Sequence, residues 1–576
     1  MARTTPATPK TPGTRQRPEV LRIAPAPTPA EAAEFSPAMA FVNPSVGYSD
    51  RRKSKPIGLA YVMAYLRSHG LESEGFDFGG ALREPEQLAA EHRLDTYDIV
   101  GFSVYNESAD NALRMAAWIK ERNPAALVVL GGPHATAVAD HLVAAHPQVD
   151  LVVRREGEEP MLEIARRVAA RRPVTGVLGT TWREPTGEVA SREDPPFIED
   201  LDTLPFPEAR FTSDSGYPTL SYFDDVSGRL KPALTVNTSR SCPYNCSFCG
   251  VLTIGRRYRT RSPESVVEEI DHFRKRDGIP YQHIYFSDAN FYVSPRRSLA
   301  VIEAIHAYDP EITVSFGTRV NQILRSEDVL ARMKEIGLRF VELGIESASP
   351  TMLERLAKGV SPQVNVDAVR TLQRLGLEIV VDFIMFDPAT TLADLRMNLA
   401  FLRRLGFYDY VPHEAIYTTL VLYQGTPIRE FYERRQDRAF APNELPDIVG
   451  LYENDDVAAV AAGMRWFRRT WQPAIDTALA DGELCAEKWR SGGRTGDRLS
   501  QLQLDLVALR HVPYLYMQHL VEVAGTGRLA IQEEYGAHLP TTGDPRTALP
   551  ELLARVRESV GDERFERDPS LLTRFA

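Results

Sequence analysis

Residues 241–250 read SCPYNCSFCG and carry Cys242, Cys246 and Cys249 at the spacing C-x3-C-x2-C. Three thiolates on one tight loop can each take an iron of a [4Fe–4S] cube and leave the fourth iron open to a substrate or cosubstrate. Pro243 and Asn245 favour the turn that lets the sulfurs converge. Phe248, beside the last thiol, can shield a cluster from water and tune its potential. Two blander readings stand beside this one. Three ordinary buried cysteines are set against the loop's position after a strand, at the mouth of a βα unit, where barrel active sites are built. A zinc site needs a fourth ligand, and the nearest histidine is His272. The chain has 4 cysteines in 576 residues, and Cys485 stands alone, which excludes a disulfide-built scaffold and points to a reducing, cytoplasmic setting.

The patterning around the loop is that of an α/β protein. Residues 1–35 are rich in Pro, Thr and Ala without apolar periodicity and read as a solvated tail. From 36 to 183, apolar runs at 38–44, 97–105, 126–130 and 149–153, with a weak strand at 74–78, alternate with helical stretches at 57–69, 109–122 and 160–171. Continuous apolar runs are what buried parallel strands show, and this order predicts a doubly wound, Rossmann-like sheet. Residues 184–230, punctuated by Pro195, Pro196, Pro205, Pro207 and Pro218, read as a linker with little regular structure. Between 231 and 440, strands are predicted at 233–238, 283–287, 312–317, 340–343, 378–386 and 415–422, with helices between them. Six such units suggest a partial (β/α)6 TIM-like barrel. Residues 441–576 lose the strand signal and read as a mostly helical domain that shapes a substrate pocket.

Charge and hydropathy remove other classes. Lys and Arg number 67 against 78 Asp and Glu, a formal charge of −11, which argues against a general nucleic-acid backbone binder. No apolar run approaches the ~18–20 residues of a membrane span, and the N-terminus lacks the apolar core of a secretory signal.

The cysteine loop resembles the hallmark of the radical S-adenosylmethionine superfamily, including the aromatic residue, here Phe248, before the third cysteine. Arg240 precedes the loop as in the family's SRGCPYNC form. YFSDANF at 285–291 resembles its FxDDNF segment, with Ala289 replacing the second acid, and GIES at 344–347 matches a segment lining the S-adenosylmethionine site in relatives. The resemblance implies that Cys242, Cys246 and Cys249 hold a [4Fe–4S] cluster and that S-adenosylmethionine binds its open iron. It further implies that Phe248, Glu346 and Ser347 lie at the cofactor, and that Arg319, in FGTRVNQI, contacts its carboxylate or ribose. For Arg319 and Glu346 the alternative is an ion pair with no ligand role. DFIMFDP at 382–388 replaces the Gly-rich turn many relatives have there.

The N-terminal segments KPIGLAYVMAYL, DIVGFSV, GGPHAT and DLVVRREGE resemble, in the same order, the cobalamin-binding subgroup of that superfamily. Gly131 and Gly132 after a strand permit close approach of a flat macrocycle or its amide arms. Ser103 and Asn106 can hydrogen-bond a ligand at the next strand's mouth. The D-x-H-x-x-G motif that supplies histidine to cobalt is absent, so no axial histidine is expected and His134 is placed near the corrin edge or its side chains, with helix capping as its alternative. His413 and Tyr423, at the far end of the barrel series, read as structural, with contact to substrate as the alternative. The resemblance implies a cobalamin-dependent methyltransferase that moves a methyl from S-adenosylmethionine via methylcobalamin to an unactivated carbon, or a phosphinate, of a specialised metabolite or modified peptide. A non-methylating ring contraction, cyclisation or oxidation shares every motif. The expected partners are a small-molecule or peptide substrate and an external electron donor such as flavodoxin or ferredoxin, with no nucleic acid and no membrane.

Overall fold

A computed structural model describes residues 36–45, 56–79, 81–208, 211–213, 221–224, 229–278, 280–410, 413–491, 496–526 and 545–560. The tail expected at 1–35 lies outside the described residues.

Among the described residues eight strands build the N-terminal sheet: β1 (Met39–Asn43), β2 (Glu74–Asp77), β3 (Ile99–Ser103), β4 (Leu127–Gly131), β5 (Leu151–Val153), β6 (Thr180–Arg183), β7 (Val189–Ser191) and β8 (Phe211–Ser213). Their order is β7-β6-β5-β4-β3-β1-β2-β8. The pairs from β5 to β8 are parallel, and β6 and β7 are antiparallel. The sheet is doubly wound. One apolar cluster on one face packs the helix Ala109–Arg122, and another on the opposite face packs Ile57–Ser68 and Glu158–Ala169. Leu113 shows the 3.6-residue logic, since Ala109–Arg122 buries one stripe against the sheet, whereas Ile57–Ser68 is buried all round from Leu59 to Leu66. Ile57–Ser68 closes at Gly70 (φ 79°), a left-handed conformation that glycine adopts without steric cost.

The second sheet has the order β16-β15-β14-β13-β10-β9, formed by β9 (Ser221–Asp224), β10 (Arg229–Val236), β13 (His283–Phe286), β14 (Thr313–Arg319), β15 (Leu338–Glu346) and β16 (Glu378–Phe383). A separate two-stranded ladder joins β11 (Ser239–Arg240) to β12 (Arg259–Thr260). The five strands β10, β13, β14, β15 and β16 are parallel and carry helices on their outer face, a partial TIM-like barrel. Serine caps and following glycines bound these helices. Ser262 and Gly278 flank Pro263–Asp277, and Ser361 and Gly376 flank Pro362–Leu375.

Two expectations need correction. The stretch 184–230 is not devoid of regular structure. It supplies β7, β8, β9 and the start of β10, so it edges both sheets. The prolines fall between these short strands, and short edge strands carry too few residues for an alternating pattern. The sixth barrel strand, expected at 415–422, does not form a ladder. It begins as a 3-10 turn, His413–Ile416, and then makes a single parallel bridge, Phe386 to Thr419. Its partner β16 ends at Phe383, before Asp387 and Pro388 turn the chain, so little ladder is left to pair with.

Among the described residues the helices Asp455–Thr470, Gln472–Ser491, Asp497–Ala524 and Pro545–Val560 follow. They share one continuous apolar core with the barrel, from Leu234 to Val560. Tyr408 of the barrel stacks on Tyr514 of the third helix with ring centroids 4.1 Å apart. Among the described residues no helix is long and apolar enough to cross a membrane.

Candidate functional site

The N-terminal sheet reverses its winding between β1 and β3, the switch point beyond which ligands of such sheets bind. A cavity of ≈ 590 Å³ opens there. Gly101, Ser103, Asn106, Gly131, Gly132 and His134 form one wall, and Ser241, Gly250, Thr253, Tyr423 and Gln424 belong to the facing one. The sequence-selected residues of the N-terminal sheet are thus brought together, opposite the two ends of the cysteine loop.

The glycines keep this wall flat. A Cβ on Gly132 would lie 2.9 Å from both the amide nitrogen and the carbonyl oxygen of Val104, and Gly132 has φ 96°. A Cβ on Gly101 would lie 2.8 Å from the Phe41 ring. Around this floor, Asn106 Nδ2, His134 Nδ1, Gln424 Oε1 and Ser287 Oγ are buried without a hydrogen-bond partner. Buried polar atoms normally have one. An apolar floor with unsatisfied donors and acceptors fits a flat macrocycle bearing amide arms, so the residues present fit cobalamin. His134 sits at the start of the helix Pro133–Ala137, and its Nε2 lies 3.1 Å from Asn443 Oδ1. Burial holds its imidazole below the ordinary value, against that bond.

In the cysteine loop Cys246 is buried and Cys242 and Cys249 are half-buried. Burial raises the thiols of Cys242 and Cys249 above their usual range. Ligation to iron requires the thiolate, so metal charge must offset that burial. Among the described residues no three His, Cys, Asp or Glu side chains close on a single ion. A cube asks for something different, one thiolate on each of three irons.

Arg319, at the end of β14, donates from Nη1 to Cys246 Sγ at 2.6 Å and from Nη2 to the Lys358 carbonyl, and its guanidinium stands 4.1 Å over the Tyr244 ring. It therefore faces a thiol rather than Glu346. Glu346 ends β15 in a left-handed conformation (φ 63°), beside a register shift, and is paired with Lys358 Nζ at 2.6 Å. Lys358 also stands 6.0 Å over the Phe248 ring. The structure does not bring the Ser347 hydroxyl to this group. It is fully buried and donates to Asn398 Oδ1 at 2.9 Å, because the turn after the shift rotates it into the outer core. In the YFSDANF segment, Asp288 accepts from Thr238 N at 3.0 Å and from the hydroxyls of Thr238 and Ser239, which braces the strand leading into the loop. Ala289 lines the cavity, where an acid would have added charge.

Several contacts near the cavity and inside the barrel were not legible in the sequence. Tyr285 Oη donates to Glu342 Oε2 at 2.6 Å inside the barrel. Asp382 lies beside them, reached by water yet enclosed by protein. Its carboxyl is raised by burial and by the charges of Glu342 and Glu346. Alternation along β13, β15 and β16 puts all three on the inner face, but only the paired and curved sheet makes them neighbours. Tyr423, read as structural, donates to Glu107 Oε1 at 2.9 Å across the cavity seam. The side chain of His413 lies outside the described residues.

Comparison with known proteins agrees with this geometry. The family model described as "B12 binding domain" matches residues 50–165, and that described as "Radical SAM superfamily" matches 236–402. Together they imply cobalamin, a [4Fe–4S] cluster and S-adenosylmethionine as cofactors. An uncharacterised methyltransferase of Pyrococcus horikoshii is 32% identical over 380 residues, covering 65% of this chain and 78% of that protein. The anaerobic magnesium-protoporphyrin IX monomethyl ester cyclase of Rubrivivax gelatinosus is 28% identical over 335 residues, and the chain spans only 58% of that relative's length. The cobalamin-dependent S-adenosylmethionine radical enzyme OxsB, solved with aqua-cobalamin bound, shares the fold at TM-score 0.65 and 16% identity, over 94% of this chain and 84% of that one. Two domain models in this order, joined by a relative matched over most of its length, place the chain among the cobalamin-binding, methyltransferase-like radical S-adenosylmethionine enzymes, the family to which it belongs.

Proposed function

We propose that this chain is a methyltransferase that moves a methyl group from S-adenosylmethionine to an unactivated carbon, or a phosphinate, of a specialised metabolite or modified peptide. The observation that carries the reading is the cavity at the seam, with its glycine floor and unpaired polar rim on one side and the cysteine loop on the other. The name of the Pyrococcus relative supports it. When bound, the cluster, S-adenosylmethionine and cobalamin supply one-electron reduction and methyl transfer. The chain's own part is to hold and orient them. Cys242, Cys246 and Cys249 would ligate three irons, and Arg319 keeps a positive charge against Cys246, where thiolate charge is needed. Phe248 would limit water at the third thiol. Gly101, Gly131 and Gly132 let a planar ring approach the backbone, while Asn106, His134 and Gln424 would meet its amide arms. We take 36–183 as the cobalamin unit, 231–440 as the radical core and 441–576 as the part that shapes the substrate pocket. An external flavodoxin- or ferredoxin-like protein would supply electrons.

The Rubrivivax cyclase supports a second reading, a non-methylating cyclisation, ring contraction or oxidation. Anaerobic reconstitution with iron, sulfide and hydroxocobalamin, followed by addition of S-adenosylmethionine and reductant, separates the two. Release of S-adenosylhomocysteine that depends on cobalamin is expected of the methyltransferase. Release of 5′-deoxyadenosine alone selects the second reading. Iron without bound cobalt would remove both.

A further inference from the structure

The ladder that closes the cysteine loop carries an electrostatic problem. β11 and β12 pair with Arg240 directly opposite Arg259, and the loop 241–258 with its three cysteines hangs between them. Like charges at facing ladder positions oppose pairing. Their partners come from the other domain. Glu156, just beyond β5, accepts from Arg240 Nη1 at 3.0 Å through Oε1 and from Arg259 Nη1 at 3.0 Å through Oε2, and Glu158 accepts from Arg240 Nη2. The side chains are largely removed from water: Arg240 is 17% exposed, Glu156 10%, Arg259 6% and Glu158 3%. Each guanidinium is backed by a ring from the N-terminal side, Tyr61 at 5.1 Å under Arg240 and Phe197 at 4.8 Å under Arg259. All six residues line the cavity assigned above to cobalamin. The motifs that meet here, the arginine before the first cysteine and the RREGE segment after β5, are far apart in the chain.

We infer that Glu156, Glu158, Arg240 and Arg259 form a positioning clamp that links cobalamin binding to assembly of the cysteine loop. A formed cluster orders the loop and so fixes its closing ladder. The ladder needs Glu156 between its two arginines. Glu156 and Glu158 bound the cavity, so ordering them prepares the wall that cobalamin meets. By linkage the effect is reciprocal: bound cobalamin favours the closed loop to the same degree. The inference rests on the reading that the cavity takes cobalamin.

The test is a titration of hydroxocobalamin into the full-length protein, with and without a reconstituted cluster, under anaerobic conditions. The reconstituted wild type is expected to bind about tenfold more tightly than the cluster-free form, within the ordinary range of coupling between sites. Glu156→Gln keeps the shape and removes the charge, and is expected to bring the ratio of the two affinities to about one. Arg259→Lys keeps the charge and is expected to retain most of the ratio. A purely structural role would weaken both affinities together and leave the ratio intact. A wild-type ratio of one, or a Glu156→Gln ratio equal to that of the wild type, overturns the clamp. Should Glu156→Gln not fold, hydrogen exchange on the cluster-free wild type decides instead. Added hydroxocobalamin is expected to slow amide exchange at 239–240 and 259–260, and unchanged exchange overturns the clamp. Absence of binding to either form would remove the cobalamin reading itself, whereas binding without coupling removes only the clamp.

Discussion

Gly132→Ala tests whether the cavity floor depends on a conformation that only glycine holds. Gly132 has φ 96° and ψ −178°, a region essentially closed to side-chain-bearing residues, where occupancy costs about 1–3 kcal/mol. The added methyl carbon would also lie 2.9 Å from two backbone atoms of Val104, which cannot swing aside as a flexible side chain can. Together these amount to about 2–3 kcal/mol. That strain is felt once, in one of two places. If the loop keeps its shape, folding bears it, and the melting temperature falls by about 5–10 °C for a unit of this size. If the loop relaxes, the floor must be restored on binding, and hydroxocobalamin affinity weakens by about 30- to 150-fold. Gly131→Ala is the control for stability alone. Its Cβ would meet only Val153 O at 3.5 Å and Phe102 O at 3.9 Å, ordinary contacts, so its stability should equal that of wild type or exceed it by up to about 1 kcal/mol. Thermal unfolding of both variants and cobalamin titration of Gly132→Ala give the answer. Gly132→Ala with neither loss, or Gly131→Ala as unstable as Gly132→Ala, would refute the argument.

Other perturbations have equally definite outcomes. Lys358→Met leaves the buried Glu346 carboxylate without its partner at 2.6 Å and should cost about 3 kcal/mol in urea unfolding, whereas Lys358→Met with Glu346→Gln should recover much of it. Burial, opposed by the Asn443 bond, holds the His134 pKa below its unfolded value. The unfolded chain therefore binds the proton more readily, and stability present above about pH 6.5 is lost as the pH falls below it. His134→Gln should flatten that slope in melts between pH 5 and 7. Asp382 behaves oppositely. Burial and then the charges of Glu342 and Glu346 raise its pKa, so the folded state holds its proton and stability falls as the pH rises through the window above the ordinary carboxylate range. Asp382→Asn should melt higher than wild type near neutral pH and lose that advantage near pH 3. An advantage independent of pH would exclude charge as its origin.

Much of the site was readable because it is local. Cys242, Cys246 and Cys249 lie on one loop, and their spacing needs no tertiary partner to suggest a cube. Gly131 and Gly132 end an apolar run, and that run alone marks the carboxyl edge of a buried strand. Ser347 shows what a local motif leaves out. Its motif matches, yet the left-handed turn at Glu346 directs the hydroxyl to Asn398 in the outer core.

By itself, the order of residues determined the α/β class, the two successive wound units and the thiol loop, because hydrophobic period and ligand spacing are set by neighbours along the chain. Only the tertiary structure decided which charges meet. Arg240 could have paired with many acids, and it finds Glu156 and Glu158, 84 and 82 residues earlier in the chain. Asn106 lies at Gln424 N, 318 residues away. The edge strand β8, hidden among prolines, is a strand only because β2 offers it an open row of hydrogen-bonding groups. Ion-pair partners and edge strands carry no periodic signature. Their identity follows from which surfaces the packed core brings together.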